Sequence, residues 1–369
     1  KYGWKSVTVP LDEWLPKSFC GQRQRKEKEM RYPKFLKENG TIGFVAPSFG
    51  CNIEPYRTAF EHAKEIWSGM GYGLQIGPNC YEGRGIGISN TPELCAQELM
   101  EFYQSRENDC LISCGGGELM CEILGHLDFE ALKQAEPKWY MGYSDNTNFT
   151  FLLTTLCDTA SIYGPCAAAF GMEPWHESID DAMGILTGKN LQVHGYDQWE
   201  KESLKDTEHP LEPYHVTEPR VLRRFPDQDV EFSGRLLGGC VDCLVTLLGT
   251  EFDRVQEFVE KYKDDGIVWF LESCELNVMA LRRAFWQMEH AGWFRYTKGF
   301  LIGRPLVHGQ EMMGLDQYQA VMGIVEHYQV PVIMDVDLGH LPPMMPLITG
   351  SYGTVSVKGN DIRIHMELK

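Results

Sequence analysis

Ser144 stands where one sequence pattern gives way to another. The apolar run Trp139-Tyr140-Met141-Gly142 predicts a short buried strand, and Asn148-Phe149-Thr150-Phe151-Leu152-Leu153 restarts with helical spacing. A serine on a sharp strand-to-helix turn exposes its hydroxyl beside backbone N–H groups at a helix N-terminus. Such groups stabilise an oxyanion, so Gly142-Tyr143-Ser144-Asp145-Asn146-Thr147 suits a nucleophile. Ser, Asp and Asn also serve as ordinary helix N-caps, and the segment alone does not separate the two roles. A nucleophilic serine further needs a base, an orienting carboxylate and oxyanion donors.

Candidates for these roles occur at other strand ends. Glu272 ends the very apolar run Val268-Trp269-Phe270-Leu271, an unusual place for a decorative carboxylate unless the strand simply emerges into solvent there. His340 follows Met334-Asp335-Val336-Asp337-Leu338-Gly339 and precedes Leu341-Pro342-Pro343, a rigid loop suited to presenting an imidazole. Of eleven histidines, His308 after Pro305-Leu306-Val307 is its nearest rival. The triglycine Gly115-Gly116-Gly117 offers backbone N–H groups that no Cβ shields. It lacks the Lys-Ser/Thr of a phosphate loop, its spacing does not fit a dinucleotide fingerprint, and Glu118 would repel a pyrophosphate. Cys240-Val241-Asp242-Cys243 has no second cysteine pair at zinc spacing, and core packing accounts for it better than a metal. Gly142-Tyr143-Ser144-Asp145-Asn146 carries the first glycine of the α/β-hydrolase elbow but Asn146 in place of the second.

Alternating strands and helices must position these groups. Strands are expected at 41–46, 110–114, 139–142 and 161–164, with intervening helices marked by Tyr56, Phe60, Ala63 and Trp67 and by Pro92, Leu94, Leu99 and Phe102. Such a succession predicts an open, largely parallel α/β sheet, with functional groups at the carboxyl ends of its strands. Residues 1–39 read as a charge-rich amino-terminal extension, 40–191 as the nucleophile domain and 192–229 as a linker with loops. Residues 230–369 read as a second, mixed α/β domain, with strands at 267–271, 300–302 and 332–334 and a hairpin turned at Gly359-Asn360.

Composition narrows the function. At 369 residues two domains are the default, and 43% hydrophobic residues suffice for sizeable cores. A net charge of −18 argues against nucleic acid or an anionic membrane as the main partner. The run Arg23-Gln24-Arg25-Lys26-Glu27-Lys28 is expected on a solvated face. No apolar stretch approaches the roughly 18 residues that cross a bilayer. Lys1-Tyr2-Gly3-Trp4 shows no signal-peptide core. Twelve scattered cysteines, several inside apolar runs, suggest reduced thiols in a cytoplasm.

Taken together, Ala46-Pro47-Ser48, Cys114-Gly115-Gly116-Gly117, Gly142-Tyr143-Ser144-Asp145-Asn146-Thr147, Gly234-Arg235-Leu236-Leu237-Gly238-Gly239, Leu271-Glu272, Phe300-Leu301-Ile302-Gly303-Arg304 and Asp337-Leu338-Gly339-His340 resemble the LD-carboxypeptidase family of serine peptidases. That family includes muramoyl-tetrapeptide carboxypeptidases and microcin C self-immunity proteins, and the resemblance runs from about Thr41 to Val357. It implies a flavodoxin-like domain carrying Ser144 as nucleophile and a second domain carrying Glu272 as orienting acid and His340 as base. It further implies Gly116 and Asp145 N–H groups as the oxyanion hole, and a homodimer. No cofactor or metal is expected; the chemistry implied is acyl transfer on a small peptide or peptidyl-nucleotide. Gly117 departs from the bulkier residue of many members. Trp175 and Trp199, in and after the segment Ala167–Trp175, are expected to hold a nucleotide, as an aromatic does in this region of the immunity proteins; Arg304 is expected on a substrate carboxylate. That pattern favours the immunity-like branch over release of D-alanine from muropeptide tetrapeptides. Two other classes remain in view: a two-lobe protein that binds without turnover, and a cysteine amidotransferase-like enzyme, which would need a thiol where Ser144 stands.

Overall fold

The computed structural model describes residues 29–369, and the basic run Arg23–Lys28 lies outside them. Five parallel strands build the first sheet, and a sixth, antiparallel strand closes its edge. Their order is Leu347–Thr349, Ser161–Tyr163, Trp139–Gly142, Cys110–Ser113, Thr41–Val45, Gly73–Ile76. The parallel strands thus follow the 2-1-3-4-5 order of flavodoxin-like folds, in which ligands bind where the strand order reverses. Here the reversal lies between Thr41–Val45 and Cys110–Ser113. The loops leaving their carboxyl ends begin at Ala46 and Cys114.

Local sequence explains the covering helices. Tyr56–Gly69 buries Ala59, Phe60, Ala63 and Trp67, one face at helical spacing. Pro92–Gln104 starts at a proline, with Thr91 capping the Leu94 N–H through its side chain. This helix also delivers Glu98, whose buried carboxylate accepts the N–H groups of Ala46 and Asn79, both at 2.7 Å. Two loops at the carboxyl edge of the sheet are thereby tied to one side chain.

The second sheet has eight strands in the order Gln192–His194, Asp361–Glu367, Tyr352–Lys358, Val230–Cys240, Ile267–Glu272, Thr297–Gly303, Val332–Val336, Arg223–Phe225. Its centre, from Val230–Cys240 to Val332–Val336, is parallel, and its flanks are antiparallel. The hairpin turned at Gly359-Asn360 is present, and the α/β class with a second mixed α/β domain stands as expected.

Three boundaries differ from expectation. Residues 192–229 are not merely linker: Gln192–His194 and Arg223–Phe225 form the two edges of the second sheet, and Gln198–Glu200 pairs with Val216–Pro219. These strands have three or four residues each, too short for alternation to register. Residues 29–39 are not simply an extension, because Met30 and Leu36 are buried and Arg31 bonds Thr159, Leu132 and Ala135. Most consequentially, Leu347–Thr349 leaves the second domain and pairs with Ser161–Tyr163 in the first sheet.

That crossing strand binds the two sheets into one packing unit. Ile348 is fully buried in it, beside Ile162. Ile348→Ala is expected to destabilise the protein by about 2–5 kcal/mol, as large-to-small core changes do. Urea unfolding followed separately by probes in each domain should show both transitions shifting together.

Candidate active site

Ser144 ends a turn that the backbone holds under strain. The strand Trp139–Gly142 passes through Tyr143 into a single helical turn, Ser144–Asn146, and then the helix Thr147–Cys157. Ser144 has φ of 61°, in the left-handed region that costs a non-glycine residue about 1–3 kcal/mol. Asn146 secures the turn, donating from Nδ2 to the Gly115 carbonyl at 2.8 Å. Asp145 faces inward and accepts from Ser48 Oγ at 2.5 Å and the Met120 N–H at 2.8 Å. Burial pushes its carboxyl up to about 6 against those hydrogen bonds.

His340 and Glu272 reach this serine from the second sheet. Glu272 is the last residue of Ile267–Glu272, and His340 lies in the loop after Val332–Val336. Ser144 Oγ is 2.8 Å from His340 Nε2, and His340 Nδ1 is 2.8 Å from Glu272 Oε2. An ionised carboxylate only accepts, so Nδ1 carries the hydrogen and Nε2 is left to accept the serine proton. Burial pulls the imidazole down, but the Glu272 charge together with hydrogen bonding to Cys274 and Glu272 raises His340 well above the ordinary histidine range. Burial likewise pushes Glu272 up, and His340 with Tyr163 holds it below the usual carboxylate value.

Glycine permits this approach at one critical point. Gly339 has φ of 97°, and a Cβ there would strike the Glu272 carboxylate. Beyond Gly339, the loop is anchored by Asp337, which is fully buried and ion-paired to Arg304.

Tyr163 was not singled out by the sequence, yet it completes the array. Its hydroxyl donates to Glu272 Oε1 at 2.6 Å and accepts the Ser144 N–H at 3.2 Å. One phenol therefore connects the serine backbone to the acid. A tyrosine at the end of a short strand resembles any core aromatic, so no sequence signal marks it. Tyr143, whose ring lies 5.2 Å from that of His340, covers the imidazole.

These groups open onto a cavity of about 610 Å³ lined by residues from both domains. Gly115, Gly116, Gly117 and Asp145 lie on its wall, and a Cβ on Gly116 would stand 3.2 Å from Ser144 Cβ. Gly117 fits closely under Ser48 Oγ, which would overlap any side chain there. The small residue is thus matched by the Ser48 hydroxyl. Cys240 and Cys243, expected in the core, divide: Cys240 is buried, whereas Cys243 is half-buried on the cavity wall and donates to the Ser144 carbonyl at 3.6 Å.

The three residues expected to hold substrate lie elsewhere. Trp175 borders a different cavity with His62 and Met172 and donates to the Phe170 carbonyl at 2.7 Å. Trp199 is buried between His308 and the Arg304 guanidinium and donates to the Pro219 carbonyl. Arg304 is 1% exposed, bound to Asp337 and to the Asp335 carbonyl, and positions the His340 loop rather than a substrate. His308, an exposed residue, faces Asp335 at 3.8 Å and packs against Trp199 from the solvent side. The aromatics that do face the cavity are Tyr143, Phe49 and Tyr56, the last two 43% and 52% exposed.

Two outcomes test the geometry. His340 accepts a proton only when neutral, so Ser144 reactivity should rise with pH through its raised pKa. Glu272→Gln removes the charge that raises it, so the acid limb should move to lower pH while the rate falls by about 10³–10⁴-fold. The pH dependence of labelling by a fluorophosphonate reads both effects. Arg304→Met leaves the buried Asp337 with only the longer Arg220 contact at 3.9 Å and is expected to cost up to about 3–5 kcal/mol in urea unfolding.

Comparison with known proteins agrees with this architecture. Residues 42–164 match the family model of the LD-carboxypeptidase N-terminal domain, and residues 233–355 match that of its C-terminal domain. The microcin C7 self-immunity protein MccF of Escherichia coli is 24% identical over 336 residues, covering 88% of this chain and 92% of that protein. Among solved structures, an MccF-like protein from Bacillus anthracis superposes with a TM-score of 0.75 at 21% identity, over 91% of this chain and 100% of that one. The MccF complex with aspartyl sulfamoyl adenosine gives 0.75 at 21% identity, over 91% and 98%. With both domains matched in order, the chain belongs to the LD-carboxypeptidase family.

Proposed function

We propose that the protein is a serine hydrolase cleaving an amide or acyl-phosphoramidate bond of a small peptidyl-nucleotide. The hydrogen-bonded array Ser144–His340–Glu272, opening onto a cavity, carries this proposal. His340 Nε2 takes the Ser144 proton as Oγ attacks the substrate carbonyl. The N–H groups of Gly116 and Asp145 receive the oxyanion, where preorganised donors are worth the most. His340 then gives its proton to the departing nitrogen, leaving an acyl-serine. Water, deprotonated by the same imidazole, releases the acid and restores the serine. Glu272 holds the imidazole tautomer and balances its transient charge.

The nucleotide preference is supported by the relatives and by the aromatic wall. MccF has been solved with aspartyl sulfamoyl adenosine. In this chain the exposed faces of Phe49 and Tyr56, rather than Trp175 or Trp199, are available to a base. Stacking on such a face contributes about 1–3 kcal/mol per base. A reducing compartment and a homodimer belong to the same proposal, the first supported by eleven unpaired cysteines among the described residues and the second by the family resemblance.

A hydrolysis panel pairing a muropeptide tetrapeptide with aminoacyl sulfamoyl adenosines tests the substrate. Cleavage of the adenosines is expected, and Ser144→Ala should lose about 10⁴–10⁶-fold in rate. Release of D-alanine from the tetrapeptide, with the adenosines intact, would move the activity to cell-wall peptides. Binding without turnover or fluorophosphonate labelling would indicate a non-catalytic ligand-binding protein.

A further inference from the structure

The cavity over Ser144 has a charge that acyl transfer itself does not use. Glu82, Glu118, Asp242 and Glu275 line it, and no Lys or Arg among the described residues does. Glu82 is neutralised by Arg84 at 2.9 Å. Glu118, Asp242 and Glu275 form no ion pair among the described residues, and Glu118 of the first domain lies within reach of the charges of the other two in the second. The charges acting on Glu118 are those of Glu275, Asp242 and His340, and burial with the two like charges pushes its carboxyl up. Asp242 is held in place by the N–H groups of Cys274 at 3.0 Å and Glu275 at 2.8 Å. Lys205 does not compensate them: the carboxylate that acts on it is Glu200.

Asn148 provides an independent sign of a missing partner. It lines the same cavity with 1% of its surface exposed. Its Nδ2 donates to the Asp145 carbonyl at 2.9 Å and to Asp145 Oδ1 at 3.0 Å, which fixes the orientation of the amide. Oδ1 is left as a buried acceptor with no hydrogen-bond partner. Such an acceptor is costly unless a donor arrives. Among the described residues no acidic cluster is arranged to hold a metal ion, so N–H donors carrying positive charge are the better match for this wall.

We infer that Glu118, Asp242, Glu275 and Asn148 Oδ1 bind an ammonium or guanidinium on the acyl part of the substrate. The inference rests on the proposed acyl-nucleotide hydrolysis, in which Phe49 and Tyr56 take the base and leave the acidic wall to the acyl part. This preference is opposite in sign to the acidic side chain of the aspartyl analogue held by MccF.

Binding to the Ser144→Ala protein, measured by calorimetry, keeps the test independent of turnover. The probes are lysyl, norleucyl, N-acetyl-norleucyl and aspartyl sulfamoyl adenosine. Lysyl against norleucyl reads a side-chain cation, and norleucyl against its N-acetyl form reads the α-ammonium. At least one cationic member of these pairs should bind about tenfold or more tighter than its neutral partner, with the aspartyl analogue weaker than the lysyl. Adding Glu118→Gln or Glu275→Gln, both at exposed positions, should shrink that advantage to about threefold or less. Equal affinities, a tighter aspartyl analogue, no binding of the lysyl analogue, or an advantage unchanged in the Gln variants would overturn the assignment. Cation-dependent binding with no turnover by the Ser144 protein would leave it standing and overturn the hydrolase proposal instead.

Discussion

The hydroxyl of Ser144 and the imidazole of His340 belong to different sheets, and they meet at 2.8 Å. A hydrogen bond weakens steeply over a few tenths of an ångström, so the packing of one domain on the other must hold to that tolerance. Several contacts around the site enforce it. Tyr163 of the first sheet bonds Glu272 of the second. The Cys240 N–H donates to Thr147 Oγ1 at 3.0 Å, joining the start of one domain's helix to the end of the other's strand. Gly239 lets that strand approach, since a Cβ there would collide with the Thr147 side chain. The crossing strand Leu347–Thr349 adds a backbone ladder to these side-chain contacts.

Buried charge is used for orientation rather than for stability. The Arg304–Asp337 pair is almost fully withdrawn from water, where desolvation offsets much of the attraction. Its position three residues before His340 gives it a different value, because Asp337 also accepts the Tyr196 N–H and fixes the start of the loop. Glu98 does the same for the loops at Ala46 and Asn79, and burial pushes its carboxyl up to about 7. Asp145 joins Ser48, Met120 and Asn148 beneath the serine turn. In each case a carboxylate gathers donors from separate segments, which apolar packing alone would not orient.

The positions of Ser144, Glu272 and His340 were legible because each follows a strongly apolar strand, where a polar residue is conspicuous. The parallel sheet was legible for the same reason: buried strands read as continuous apolar runs. Trp175, Trp199 and Arg304 misled because residue type does not reveal which way a side chain points. Trp199 and Arg304 stack on each other in the interior, an arrangement that composition cannot distinguish from a binding surface. Tyr163 and Asn148 were hidden for the converse reason, being polar atoms on residues within apolar runs. The strand Leu347–Thr349 was invisible because three residues carry too little pattern to name a sheet, let alone a distant one.

That strand also dictates an order of events during synthesis. The chain from Thr41 to Tyr163 contains every parallel strand of the first sheet but not the segment that covers its last edge. Until Leu347–Thr349 emerges, Ser161–Tyr163 presents unpaired backbone groups of the kind that recruit other chains. Pairing across so long a separation is slow, since a large loop must close before any contact rewards it. The edge beside the serine turn is therefore the last part of the first sheet to be covered.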